Sequence, residues 1–85
     1  MRLIKIGLAN LNTTVGAFKM NTDMLIESAR RMADEDCTVG CFQEQVIGGY
    51  PAEDLVQWKS FVDQQWAALQ RFARASTGFK AKTMF

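Results

Sequence analysis

Two hydrophobic rhythms alternate along the chain. Residues 2–9, Arg-Leu-Ile-Lys-Ile-Gly-Leu-Ala, repeat every second position, with Ile4, Ile6 and Leu8 on one face and Leu3, Lys5, Gly7 and Ala9 on the other. Both faces are largely apolar, which predicts a strand inside a sheet covered on both sides. Asn10 to Gly16 is turn-like, and Asn12, Thr13 and Thr14 offer oxygens that could cap a following helix. From about Ala17 to about Asp34 the period becomes helical. Phe18, Leu25, Ala29 and Met32 share one face, while Lys19, Asp23, Glu27, Arg30, Arg31 and Asp34 fill the opposite side. Glu27 and Arg31 stand at the i,i+4 spacing of a helical ion pair.

Thr38-Val39-Gly40-Cys41-Phe42 predicts a second short strand with no polar face. Gln43 to Pro51 then leaves the sheet as a loop, turned by Gly48, Gly49 and Pro51, and Ala52 to Val56 fits a short helical turn. A second amphipathic helix is predicted from about Trp58 to about Ala75. Val62, Trp66, Leu69 and Ala73 form its apolar stripe, with Phe61 and Phe72 at the flanks. Ser76 to Phe85 has no clear period and reads as an unpacked tail. Strand, helix, strand in this order favours a parallel or mixed sheet. The predicted class is α/β, with about two strands and two helices in a domain over residues 1–75 and a tail over 76–85.

Composition narrows the function classes. The 85 residues make one small domain at most, and 48% are hydrophobic and 22% charged, ordinary for a globular chain. A net charge of +1 without a basic stripe argues against a nucleic-acid partner and against a polybasic membrane patch. Lys5 interrupts the apolar start, so neither a membrane span nor a signal peptide is predicted. Cys37 and Cys41 are too few for a disulfide scaffold, which makes a reducing cytoplasm the expected setting. Histidine is absent, which removes Ser-His-Asp and Cys-His catalysis from these residues. Two thiolates alone cannot close a tetrahedral zinc site, so no metal site is predicted and Cys41 is expected to be buried and inert. Met20, Met24 and Met32 are expected to fill gaps under the first helix, and Trp66 to pack in the core; Trp58 is left open.

Chemistry concentrates at Glu44, immediately after the second strand. In open α/β sheets, sites form beyond the carboxyl ends of strands. A carboxylate there is expected to be partly desolvated, which disfavours its charged form and suits it to acid–base work. The plainer alternative is a glutamate that caps or pairs at a strand end.

The run Phe42-Gln43-Glu44-Gln45-Val46-Ile47-Gly48-Gly49-Tyr50-Pro51-Ala52-Glu53-Asp54-Leu55 resembles the first signature of the nitrilase superfamily, in which a buried strand ends in Phe-Pro-Glu and Gly-Tyr-Pro with an acidic-Leu pair follows. Ile6 to Asn12, then Val15 to Phe18 and Asn21, resemble that family's first strand and helix. The Tyr50-to-Leu55 variant is most similar to the glutaminase domains of glutamine-dependent NAD synthetases, and the resemblance covers about residues 3 to 75. It implies an α-β-β-α sandwich and a Glu-Lys-Cys triad, with Glu44 as general base and Tyr50 in a glutamine pocket. The triad's lysine and cysteine cannot be placed: Lys80 and Lys82 come too soon, and Cys37 and Cys41 precede Glu44.

Three departures stand out: Gln43 replaces the usual proline, Asn10 a frequent glutamine, and Ala17 a frequent aspartate. The first is expected to relax the backbone that aims Glu44. The segment after Ser76 does not read as the family's next strand, which suggests a truncated or altered frame. The resemblance thus implies a fragment of a glutamine-hydrolysing domain, inactive alone and holding no cofactor. Its homo-oligomeric parent would use ATP and Mg in a synthetase domain. Two other readings are a slice of another nitrilase-branch amidase and a small α/β interaction module that associates through Trp58, Phe79 and Phe85.

Overall fold

The computed structural model describes residues 3–51 and 57–85. Elements run β1 (Ile6–Ala9), α1 (Phe18–Asp34), β2 (Val39–Phe42) and α2 (Lys59–Ser76). The protein is therefore mixed α/β, with two helices and a two-stranded parallel sheet. Ile6 pairs with Val39, Gly7 with Gly40, Leu8 with Cys41 and Ala9 with Phe42. The helical turn expected over 52–56 lies outside the described residues.

The pairing register decides which side chains share a face, because successive residues of a strand point to opposite sides. Gly7 and Gly40 lie under Met32 of α1, close enough that a β-carbon on either would meet its side chain. The other face carries Ile6 and Leu8, which are 56% and 79% exposed, with Val39 and Cys41 beside them. The expectation of a sheet covered on both sides is therefore corrected: helix covers one face, and among the described residues nothing covers the other. Cys41 follows that open face and is exposed, while Cys37 is the buried thiol. The burial expected of Cys41 belongs to Cys37 instead.

The core lies on α1. Leu25, Ile26, Ala29, Met32 and Ala33 are buried, as the helical period required for Leu25, Ala29 and Met32. Met20 is 48% exposed, contrary to its assigned place under the helix. Glu27 pairs with Arg30 at 2.8 Å, one position short of the Arg31 expected for it.

Helix α2 is rotated relative to the prediction. Its buried residues are Phe61 and Ala68, and Phe61 meets Phe18 edge to face at 4.9 Å between ring centroids. The forecast stripe faces outward, with Val62, Trp66 and Leu69 exposed by 46%, 61% and 43%, and Ala73 exposed as well. Two adjacent apolar stripes wind along this helix, and periodicity does not say which one α1 takes. An ion pair between Asp23 and Arg71 joins the two helices.

The segment after α2 returns to the sheet. Met84 forms a parallel bridge with Val39 on the edge of β2 away from β1, its amide donating to the Thr38 carbonyl at 3.0 Å and its carbonyl accepting from the Gly40 amide at 2.8 Å. The Phe85 ring packs among Phe42, Phe72 and Phe79. This corrects the expectation of an unpacked tail. Four aromatic rings separated in sequence give a burial incentive that a local period does not reveal. No described helix is long and apolar enough to cross a membrane.

Candidate functional site at the strand exits

Beyond the carboxyl ends of β1 and β2, two loops meet. The first spans residues 10–17 and the second 43–51. Their junction is built from side-chain amides. Gln43 donates from Nε2 to the Leu11 carbonyl at 2.6 Å and accepts the Leu11 amide on Oε1 at 3.1 Å. Asn21, fully buried in the first turn of α1, donates from Nδ2 to the carbonyls of Thr14 and Ile47, both at 2.8 Å. Its Oδ1 accepts the Thr14 amide at 3.0 Å. The Gly16 amide donates to the Gly48 carbonyl at 2.9 Å.

This arrangement replaces the expected helix cap. Ala17 occupies the N-cap position with no side-chain cap bond, and Asn12, Thr13 and Thr14 supply none. A polar residue inside the helix, Asn21, closes the loop from below. Close packing follows: Gly49 has φ +87°, and a β-carbon there would sit 2.6 Å from both Cα and N of Val15. Only glycine combines that backbone angle with that approach.

Glu44 sits at the start of the turn just past β2, exposed, between the clamped Gln43 and Gln45, whose φ is +57°. The desolvation expected for a strand-exit carboxylate is not supplied by these residues. A shallow depression of about 300 Å³ lies on one side, lined by Leu8, Ala9, Asn10, Cys41, Phe42 and Gln43. A second, of about 350 Å³, lies between Gln45, Val46 and Ile47 and the outward stripe of α2. Tyr50, at the end of the loop, is 70% exposed. The structure thus places Glu44 and Tyr50 on one loop at the sheet's carboxyl edge. Cys37 lies apart from them, its sulfur packed under Gly7 at the opposite end of the strands. Among the described residues, no group of histidine, cysteine and acidic side chains could hold a metal ion.

Sequence reasoning missed the two amides that build the junction. Asn21 carried a signal, since it falls in phase with Phe18, Leu25 and Ala29 on the apolar face of α1. Gln43 read only as a departure that loosens the backbone, yet its side chain ties that backbone down. Of the aromatic anchors assigned to an interaction module, Phe79 and Phe85 pack together, while Trp58 is 63% exposed.

Fold and site together define a parallel β-α-β unit that carries a carboxylate loop at its strand exits. The curated proteins it resembles are glutamine-dependent NAD(+) synthetases. It is 36% identical over 74 residues to that of Thermotoga maritima, covering 87% of this chain. It is 37% identical over 79 residues to that of Xanthomonas campestris pv. campestris and 32% over 79 residues to that of Xylella fastidiosa, in each case over 92% of this chain. The chain spans 13% to 14% of the length of these relatives. No family model and no solved structure matches it.

Proposed function

We propose that this chain is the opening part of a glutamine-hydrolysing domain of the nitrilase type, and that Glu44 is its general base. The observation that carries the proposal is the likeness of 87% to 92% of the chain to glutamine-dependent NAD(+) synthetases, joined to a carboxylate at the exit of a parallel strand. In this mechanism Glu44 takes the proton of a cysteine thiol as sulfur attacks the glutamine carboxamide, gives it to the nitrogen that leaves as ammonia, and then takes a proton from the water that hydrolyses the thioester. The cysteine and an oxyanion-holding lysine would come from segments outside these residues. Tyr50 would line the glutamine pocket. The released ammonia would pass to a synthetase domain that uses ATP and Mg.

The open apolar face of Ile6, Leu8 and Cys41 supports this reading, because a sandwich would lay a further layer on it. The exposure of Glu44 fits as well: the covering layer would also shut water from the strand exits. Replacing the matching segment of the Thermotoga maritima relative with residues 1–85 tests the idea. Retained NAD synthesis from glutamine supports it. A folded hybrid that uses ammonia but not glutamine contradicts it.

A further inference from the structure

The two bonds between Gln43 and Leu11 have a form that a single anchoring contact would not need. Main-chain pairing of β1 with β2 ends at Ala9 and Phe42. Past that point the strands part into their loops, and the Gln43 side chain takes over. Its carboxamide presents an acceptor to the Leu11 amide, at 3.1 Å, and a donor to the Leu11 carbonyl, at 2.6 Å, across 32 residues. A primary amide offers the same donor–acceptor pair as a peptide group, so this contact copies one more rung of the ladder. Further along the same loop, the Ile47 and Gly48 carbonyls are held by Asn21 and by the Gly16 amide. The Gly49 amide closes the turn on the Gln45 carbonyl at 2.8 Å. The residue between these fixed points is Glu44.

We propose that Gln43 is a positioning residue for Glu44: its side-chain rung fixes the direction in which the loop leaves β2, and with it the direction of the carboxylate. What that carboxylate does rests on the function proposed above; that Gln43 aims it does not. The rung also offers a physical substitute for the rigid proline of the resembled signature. A proline restrains φ through its ring, whereas Gln43 restrains the same stretch through two hydrogen bonds.

The test is NMR on the full 85-residue chain, comparing the unaltered protein with Gln43→Ala and Gln43→Glu. In the unaltered protein the Leu11 amide is expected to be protected from hydrogen exchange and the Glu44 backbone to be as ordered as β2. Gln43→Ala is expected to lower Leu11 protection by about tenfold, the weight of one net hydrogen bond. It should also loosen the Glu44 backbone, leaving Leu25 and Ala29 in α1 unchanged. In Gln43→Glu the ionised carboxylate can accept from the Leu11 amide but has no proton for its carbonyl. The neutral acid has both. The Leu11 amide therefore keeps its acceptor in this variant, and the Glu44 order that is lost with the bond to the Leu11 carbonyl should recover as the pH falls below the ordinary glutamate range, a rescue that general acid destabilisation would not give. Unchanged Glu44 order in Gln43→Ala, with Leu11 protection lost, overturns the proposal. So does an unprotected Leu11 amide in the unaltered chain. Because no readout is enzymatic, a failure here is separate from a failure of the amidohydrolase assignment.

Discussion

Asn21, in the first turn of α1, holds the main-chain carbonyl of Ile47, 26 residues away, through a 2.8 Å hydrogen bond. The same carboxamide makes both bonds to Thr14. One fully buried side chain thus joins the loop that enters the helix to the loop that carries Glu44. Asn21→Ala would remove three part-buried bonds; the Thr14 carbonyl would keep the Ala17 amide, while the Thr14 amide and the Ile47 carbonyl would lose the Asn21 partner, at about 1–3 kcal/mol for each group left unsatisfied. A net loss of about 3 kcal/mol is expected, a large share of the stability of a chain this size. Denaturant titration measures it. Asn21→Asp should be no better near neutral pH, since a carboxylate cannot donate to the Thr14 and Ile47 carbonyls.

The rotation of α2 gives an opposite pair of results. Phe61 is 7% exposed and sits on Phe18, so Phe61→Ala should cost about 3 kcal/mol. Trp66 is 61% exposed, and Trp66→Ala should change stability by less than about 0.5 kcal/mol. Comparable losses at both positions would put the helix back in the phase its sequence first suggests.

That phase marks where the fold stops being legible in sequence. The β-α-β order, the extent of α1 and its Leu25, Ala29 and Met32 face follow from local period, because one helix side has to be apolar. Phe61 and Trp66 both stand on apolar stripes, and only the neighbouring α1 decides between them. The return of Met84 and Phe85 to β2 depends on partners at Thr38, Gly40 and Phe42, far away in the chain. For the site, the position of Glu44 at a strand exit could be read from residue order. Its exposure, and the Gln43 and Asn21 amides, arise from how two loops meet.

Thr22 is fully buried, and its hydroxyl has no hydrogen-bond partner among the described residues. Valine has nearly the same shape without the hydroxyl, and the two residues have similar helix propensity. Thr22→Val should therefore raise stability by about 1 kcal/mol, since it removes the cost of a buried unpaired hydroxyl. A rise in melting temperature checks it, and a fall would mean that the hydroxyl is paired in solution.

The link between the helices carries a pH signature. The Arg71 guanidinium first, and Lys19 second, hold the Asp23 carboxyl below its ordinary value of 3.8. A lowered carboxylate pKa adds stability that is fully present above the unfolded value and is lost as the pH falls through the folded one. The stability gap between the unaltered protein and Asp23→Asn should thus be constant from neutral to mildly acidic pH and close in stronger acid. Salt should narrow it too, because both partners are partly exposed. Thermal melts over a pH series follow the gap directly.

The central claim is that Glu44 serves as the base of a glutamine-hydrolysing site. Its most direct measurement is the Glu44→Gln substitution within the Thermotoga maritima hybrid, assayed with glutamine and with ammonia as nitrogen source. Loss of a general base costs about 10²- to 10⁴-fold in rate. NAD formation from glutamine should fall by that much, while formation from ammonia stays as it was. Equal rates from glutamine with and without the carboxylate would contradict the account.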